Sequence, residues 1–293
     1  MISSFGVLSP IVLAILPEIC YYHLREKVIP VDKDEKRRRM LEGIRKFRLI
    51  DDTFMNVCFN DSPECTQLVL RIILGRDDIV VTSVKAQTRM KNLNGRDVCL
   101  DILAEDGENR TINIEIQRSD AGAGMRRARY HSSILDAHLL LPGSDFDDLP
   151  ETYVIFITEN DVLGLGAPLY TIDRQITNFG KPFDDGEHII YVNGANRDGA
   201  TALGRLMQDF FCADPDKMHY KPLADRTRHF KEHGQEDVGM CKIMEDFGKE
   251  ERHDANMETA ARLLAMGLTV DQVAVGTGLT IEEVKALSES KSA

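Results

Sequence analysis

The sequence predicts an α/β fold in the element order αβββαβ, and three patterns carry this prediction. Apolar and polar residues alternate with period two through 98–103 and again through 112–117, which is typical of strands. The continuous apolar run at 152–158 is typical of a strand that is buried on both faces. Helical spacing of apolar residues at 48–59 and 125–141 places helices before and between these strands.

Signals at the helix ends place the remaining elements. Asp51 and Asp52 stand in the first turn of the first predicted helix, where acidic side chains are favoured. Ser62 and Pro63 suit a helix cap and a first helical position, and Gly75 suits a helix end. The predicted elements are, in order, helices at 48–59 and 63–74, strands at 79–89, 98–103 and 112–117, a helix at 125–141, strands at 152–158 and 189–192, and a helix at 201–212.

The helix predicted at 125–141 has two chemically different sides. The side predicted to face the core carries Met125, Ala128, Ser132, Leu135 and Leu139. The opposite side carries Arg126, Arg129, Tyr130 and Ser133. The helix therefore presents basic and aromatic side chains on a face that packing does not require.

The composition is that of a globular protein with a substantial core, since 43% of the 293 residues are hydrophobic. A net charge of −12 argues against a protein that coats nucleic acid through bulk electrostatics, because phosphate affinity comes from clustered Lys and Arg. The charge is uneven, however. Residues 232–293 hold thirteen acidic and six basic side chains, while basic clusters stand at 33–39 and 126–129.

The cysteine pattern and the apolar run near the N-terminus indicate the cellular compartment that is expected for the protein. The six cysteines contain no C-x-x-C pair and several lie in apolar segments, which predicts reduced core thiols in a cytoplasmic protein. The apolar run at 5–22 is interrupted by Pro10, Pro17 and Glu18 and follows no basic residues. It is therefore predicted to be neither a signal peptide nor a membrane span, and no membrane partner is expected.

The chain is expected to contain four parts. Residues 1–47 form an N-terminal extension, partly disordered or a peripheral helix, and 48–215 form the α/β domain. Residues 216–253 are a polar linker, and 254–288 are a small all-α module. In that module Thr269 with Gln272, and Thr280 with Glu283, have the spacing of capping boxes.

The small helices of this module suggest DNA reading by a helix-turn-helix. The last helix, however, would present Glu282 and Glu283 at the end that normally meets bases and phosphates. We therefore favour packing or self-association, with a homo-oligomer formed through the C-terminal helices.

Two carboxylates lie in the paired strands, and the turn between the strands decides whether they meet. A two-residue loop at Asp106 and Gly107 would pair residues whose numbers sum to 213 and place Asp101 opposite Ile112. An odd loop centred on Glu108 makes the paired numbers sum to 216, and Asp101 then faces Glu115. Only the odd loop brings the carboxylates and the side chain of Gln117 to one face.

Such a face suits a hard divalent cation. Mg²⁺ prefers carboxylate oxygens, a backbone carbonyl and waters, which Asp101, Glu115 and the Ile116 carbonyl can supply. Gln117 stands where many such sites have a lysine, and its amide can orient a water but cannot act as a base. Exposed charges at the edge of a sheet are the alternative interpretation of the two acids.

The following helix offers groups for a phosphate. Arg126 and Arg129, with Tyr130 beside them, could hold a phosphate and its developing charge. A solvated helix face is the alternative.

One run of residues is similar to a known family. The segment LDILAEDGENRTINIEIQRSDAGAGMRRARYHSSILDAHLL, followed by LPETYVIFIT, LYTI and HIIYVNGA, closely resembles the PD-(D/E)XK nuclease family transposases, also called recombination-promoting or Rpn-type nucleases. The similarity runs from about Asp51 to Asn196, roughly half of the chain. The C-terminal run TAARLLAMGLTVDQVAVGTGLTIEEVKAL also resembles the ending common in that family.

The resemblance implies a restriction-endonuclease-like αβββαβ core with a mixed sheet. It implies that Asp101 and Glu115 are the metal acids and that Gln117 replaces the usual lysine. It also implies that Asp52, or its neighbour Asp51, is the acid of the first core helix, which in this fold can help bind metal. The expected function is an endonuclease that cuts DNA during transposition or recombination. It is expected to depend on Mg²⁺, with Mn²⁺ as an alternative ion. The alternative is a nuclease-fold protein with little or no turnover that acts in DNA binding or assembly.

Overall fold

A six-stranded sheet contains the two strands that carry Asp101 and Glu115. The computed structural model describes residue 38 and residues 42–92, 95–233, 252–253 and 255–289. The chain divides into two compact units, Met1–Gly43 and Ile44–Ala293, and every helix and strand named below belongs to the second. The apolar run at 5–22 and most of the predicted N-terminal extension lie outside the described residues.

The second unit contains both strands and helices. The strands are β1 Val81–Met90, β2 Val98–Asp106, β3 Thr111–Gln117, β4 Thr152–Thr158, β5 Leu169–Ile172, β6 Gln175–Ile176, β7 Lys181–Pro182 and β8 Glu187–Asn193. The helices are α1 Asp52–Phe59, α2 Pro63–Leu74, α3 Met125–Leu139, α4 Ala202–Phe210, α5 Lys221–His233, α6 at 255–265, α7 Val270–Thr277 and α8 Ile281–Glu289. Short 3₁₀ turns cover Asp120–Ala123, Phe146–Asp148 and Pro215–Lys217.

The large sheet is mixed. Its strand order is β1-β2-β3-β4-β8-β5. The neighbours β1 and β2, β2 and β3, and β5 and β8 run antiparallel, whereas β4 is parallel to both β3 and β8. Helix α3 connects the parallel strands β3 and β4, as a parallel connection requires. The α/β class, the αβββαβ order and the mixed sheet of a restriction-endonuclease-like core are thereby confirmed.

Local sequence explains where the elements begin and end. All seven residues of β4 are buried, as the continuous apolar run predicts. Pro63 occupies the first turn of α2, and Gly75 ends that helix in the left-handed conformation at φ 63°. Helix α1 begins at Asp52 rather than at Arg48, because the Asp51 carboxylate accepts a hydrogen bond of 2.8 Å from the Arg48 main-chain N–H.

The helices pack on the sheet through apolar side chains. Helices α1 and α2 contact β1, and α3 contacts β4 and β8. Beneath α3, Leu135 and Ala128 pack in one buried cluster with Val154 and Phe156 of β4. Met125, predicted on the core side, is instead exposed, because it begins the helix where the chain leaves the sheet.

Two regions differ from the sequence expectation. Strands β5, β6 and β7 were not predicted, because segments of two to four residues carry too little periodicity. The first part of the predicted polar linker includes helix α5, whose Leu223, Thr227 and Phe230 are buried. Helix α5 is therefore packed, and residues 234–251 of that linker lie outside the described residues.

The C-terminal helices contain the two predicted capping boxes. Thr269 and Gln272 cap each other at the start of α7, and Thr280 and Glu283 do the same at the start of α8. Among the described residues, no helix has the length and apolar character that a membrane span requires. Of the cysteines described, Cys58 and Cys65 are buried, and burial raises the pKa of both thiols.

Candidate functional site

The two predicted acids lie side by side on neighbouring strands. Strands β2 and β3 pair with a register in which residue numbers sum to 216, as in Ile102 with Ile114. One residue further along each strand, the Asp101 main-chain N–H donates a hydrogen bond of 3.2 Å to Glu115 Oε1. The register that brings Asp101 and Glu115 together, predicted from an odd loop, is confirmed.

The turn that sets this register is built around Asp106. Its main-chain N–H donates to the Arg110 carbonyl at 3.1 Å, so three residues centred on Glu108 form the loop. The Asp106 carboxylate accepts the main-chain N–H groups of Glu108 and Arg110, both at 3.0 Å, and the Arg110 Nε–H at 2.6 Å. Asn109 adopts the left-handed conformation at φ 62°, which asparagine tolerates in hairpin turns of this length.

The acid pair is buried and electrostatically strained. Asp101 is 7% exposed and Glu115 is fully buried. Burial, the Glu115 carboxylate and the Asp52 charge together raise the pKa of Asp101 well above its usual range. The Ile116 main-chain N–H donates a hydrogen bond of 3.0 Å to Asp101 Oδ2, and this hydrogen bond acts to lower the pKa of Asp101. Asp101 therefore favours a bound proton or a nearby cation.

The donor set fits a hard divalent cation. Two adjacent carboxylates offer oxygen ligands only, which is the ligand type that Mg²⁺ and Mn²⁺ take. A cation here would also relieve the repulsion that raises the pKa of Asp101. Among the described residues no cluster of three or more His, Cys, Asp and Glu side chains is arranged to hold a metal.

The acids of the first core helix have different surroundings. Asp52 lies in the first turn of α1, accepts a hydrogen bond of 2.6 Å from Asn56 Nδ2, and is near enough for its charge to act on Asp101. Asp51 instead forms ion pairs with Arg48 at 3.2 Å and with Arg118 at 3.1 Å. Of the two alternatives, Asp52 is thus the better placed to assist a cation at the acid pair.

Gln117 lies two residues after Glu115 on the same strand, beside the 3₁₀ turn that follows. A Cβ added at Gly122 would meet Gln117 Oε1 at 1.9 Å. The absence of a side chain at Gly122 therefore makes room for the amide of Gln117. The end of β3 is also tied to β4, because the Glu159 main-chain N–H donates to the Gln117 carbonyl at 3.1 Å.

Two further residues of α3, which the sequence patterns did not single out, reach Glu115. Arg127 Nη2 lies 3.4 Å from Glu115 Oε2, and His131 Nδ1 lies 3.5 Å from Glu115 Oε1. Arg127 Nη1 also donates to the Gly122 carbonyl at 3.0 Å. The only signal in the sequence was their separation by four residues, which places them one above the other on a helix.

The predicted phosphate-binding residues do not stand together. Arg126 and Tyr130 line a cavity of about 910 Å³ beside the acid pair, whereas Arg129 is not among its lining residues. The residues that line it are Asn92, Gly95, Arg96, Asp97, Val98, Cys99, Arg126, Arg127, Tyr130 and His131. The Tyr130 hydroxyl donates to the Arg96 carbonyl at 2.6 Å and accepts from Asn92 Nδ2 at 3.0 Å. Tyr130 therefore ties α3 to the segment between β1 and β2.

The strand on the other side of Asp101 is irregular at this point. Gln87 of β1, which would stand opposite Asp101, has a φ of 50°, an uncommon value for a residue with a side chain. Its Nε2 donates to Asp101 Oδ1 at 3.3 Å, and its Oε1 accepts from Cys99 Sγ at 3.3 Å. The backbone irregularity thus turns an amide toward the first acid, as strained residues at functional sites often do.

Comparison with known proteins agrees with this geometry. The family model described as PD-(D/E)XK nuclease family transposase matches residues 69–196, which include the hairpin, both acids and α3. No curated protein and no solved structure matches the chain. Over residues 69–196, this chain is therefore similar to the PD-(D/E)XK nuclease family transposases.

Proposed function

We propose that the protein is a metal-dependent DNA endonuclease that hydrolyses phosphodiester bonds. The observation that carries the proposal is the buried hydrogen bond of 3.2 Å from the Asp101 main-chain N–H to Glu115 Oε1, which sets the two acids side by side on neighbouring strands. We propose Mg²⁺ as the ion, with Mn²⁺ as an alternative. The description of the matching family as nuclease family transposases supports an association with transposition or recombination of mobile elements.

Several residues of the chain have distinct roles at the proposed cation site. Asp101 and Glu115 hold the cation with the Ile116 carbonyl, and Asp52 adds negative charge from α1. When bound, the cation supplies Lewis-acid chemistry at the phosphate and acidifies a water. Gln117 contributes an amide that orients a water, and it cannot remove a proton from it.

Cationic side chains on α3 hold the DNA backbone. Arg126 lines the cavity next to the acids, with Tyr130 fixed at its wall, so these two contact the phosphates nearest the reaction. Arg129 lies on an exposed face of α3 and would meet a phosphate further along the strand. Local basic charge of this kind supports binding despite the net charge of −12.

Cleavage of a supercoiled plasmid by the purified full chain tests the proposal. We expect nicked product with Mg²⁺ or Mn²⁺, none with EDTA, and none from Asp101→Asn or Glu115→Gln. Asp77→Asn is the matched control, because Asp77 is an exposed carboxylate outside the site. Equal cleavage by wild type and the Asp101 variant would exclude the acid pair as the cleavage site.

A nuclease-fold protein without turnover is the second candidate. Gln117 favours it, because this uncharged amide stands where related sites carry a lysine. Under this alternative, DNA binding measured by fluorescence anisotropy is unaffected by EDTA. No product then forms at any enzyme concentration with either ion.

A further inference from the structure

The hydrogen bond that His131 accepts indicates which of its ring nitrogens carries a proton. Arg127 Nε donates to His131 Nε2 at 3.2 Å. A guanidinium has no acceptor atom, so His131 Nε2 must present a lone pair. An imidazolium would instead set two N–H groups against each other. His131 is therefore neutral and carries its proton on Nδ1.

This Nδ1–H is buried and close to the proposed cation site. His131 is 3% exposed, and its Nδ1 forms no hydrogen bond to any described residue. Glu115 Oε1 lies 3.5 Å away. A buried donor without an acceptor is destabilising, which favours donation to this carboxylate. A shift of about 0.5 Å would bring the two atoms to hydrogen-bond distance, and such contacts often shorten when a site is loaded.

The ring of His131 has rigid support. It packs against Phe156 with ring centroids 5.8 Å apart, and Phe156 stacks on Tyr191 at 5.4 Å. The Tyr191 hydroxyl in turn donates to the Ala123 carbonyl at 2.9 Å. His131 is therefore held by the buried strands β4 and β8 as well as by its own helix.

We propose that His131, as the neutral Nδ1–H tautomer, is a positioning residue that holds Glu115 Oε1 and so orients the carboxylate that binds a divalent cation. The inference rests on the proposed function, because it concerns the same site. Glu115 Oε1 already accepts from the Asp101 main-chain N–H, so His131 is its second donor. Partners that orient a metal ligand in this way typically change metal affinity about 10- to 100-fold.

Mn²⁺ binding to the full chain, measured by calorimetry without DNA, tests the role. His131→Phe keeps a ring and removes both nitrogens, and we expect it to weaken Mn²⁺ binding about 10- to 100-fold. His131→Asn places an amide N–H near the position of Nδ1, and we expect it to recover most of that affinity. Ser133→Ala, on the exposed side of α3, is the control. Thermal unfolding establishes that each variant is folded.

NMR of the ¹⁵N-histidine-labelled wild type tests the tautomer without any substitution. A proton on Nδ1 and none on Nε2 supports the assignment, whereas a proton on Nε2 overturns it. Equal Mn²⁺ affinity of wild type and His131→Phe, or no Mn²⁺ binding by the wild type, overturns the positioning role. Mn²⁺ binding that depends on His131 without any DNA cleavage would overturn only the proposed nuclease activity.

Discussion

The Asp101 carboxylate accepts a hydrogen bond of 3.0 Å from the main-chain N–H of Ile116. The first acid of the pair is therefore fixed by the strand that carries the second acid. The Glu115 side chain reciprocates by accepting the Asp101 main-chain N–H. These two crossed contacts continue the sheet beyond the last regular pair, Ile102 with Ile114, through carboxylates instead of carbonyls.

The Asp101→Asn variant is expected to become more stable than wild type as pH rises. Burial and the Glu115 charge raise the pKa of Asp101, so ionisation of this group opposes folding. The stability that the protonated group contributes is complete below its unfolded pKa of about 4 and is lost as pH rises through its folded pKa. Urea denaturation across about pH 5–9 should show the variant gaining about 1–3 kcal/mol over wild type at the alkaline end.

The control for this change is Asp77→Asn, which removes a carboxylate at an exposed position outside the site. A constant difference between the Asp101 variant and wild type would contradict the expectation, because it would mean that Asp101 ionises equally easily in the folded and unfolded chain.

Binding of a divalent cation should release a proton. Asp101 must ionise before it can act as a ligand, and its pKa is raised. We expect the apparent Mn²⁺ affinity to increase with pH until the folded pKa of Asp101 is passed. Calorimetry in two buffers of different ionisation enthalpy counts the protons released, with about one expected below that pKa. Release of no proton, with tight binding at low pH, would place the cation elsewhere.

Gly122→Ala should displace the Gln117 amide with little effect on stability. The new Cβ would lie 1.9 Å from Gln117 Oε1, which is the mobile end of a side chain and can move away. If the amide orients water, cleavage should fall about tenfold while the free energy of unfolding changes by less than about 1 kcal/mol. In a Gln117→Ala background the same change should have no further effect on cleavage, and an undiminished effect there would mean that Gly122 acts independently of Gln117.

Asp106→Ala should be strongly destabilising although it lies far from the acids. Arg110 is 5% exposed at its side chain and would lose its closest ion-pair partner, Asp106 at 2.6 Å. Breaking a buried ion pair from one side typically costs about 3–5 kcal/mol. Asp106→Asn keeps an acceptor for the turn N–H groups and should cost less. Chemical denaturation measures both, and equal losses would show that the neutral acceptor kept in Asp106→Asn does not stabilise the turn.

Self-association through the C-terminal helices, where it occurs, should involve Val275. This residue of α7 is 87% exposed, so Val275→Asp should leave the module folded. We expect the variant to shift the full chain toward monomer in sedimentation equilibrium. Ala255→Asp adds the same charge at another exposed position and serves as the control. A wild-type chain that is monomeric at all concentrations would exclude the proposed homo-oligomer.

The sequence predicted the sheet and the hairpin register because both follow from periodicity within short segments. Asp101 and Glu115 each belong to a strand with clear alternation, so only the length of one loop had to be inferred. Arg127 and His131 could not be found in this way. Their contact with Glu115 depends on how α3 is rotated over the sheet, and the apolar stripe defines that rotation poorly because Met125 is exposed and His131 is buried.

The turn at Asp106 has a consequence for how this protein can change. A substitution in the loop from Gly107 to Asn109 leaves the pairing of β2 and β3 intact, whereas one inserted or deleted residue would turn one acid to the opposite face. The acids lie about 17 Å from this loop, at about 3.4 Å per residue over five residues. Whether this surface turn has an odd or an even number of residues thus decides whether the two acids lie on the same face of the sheet. Tolerated changes in the length of the turn should therefore come in pairs of residues.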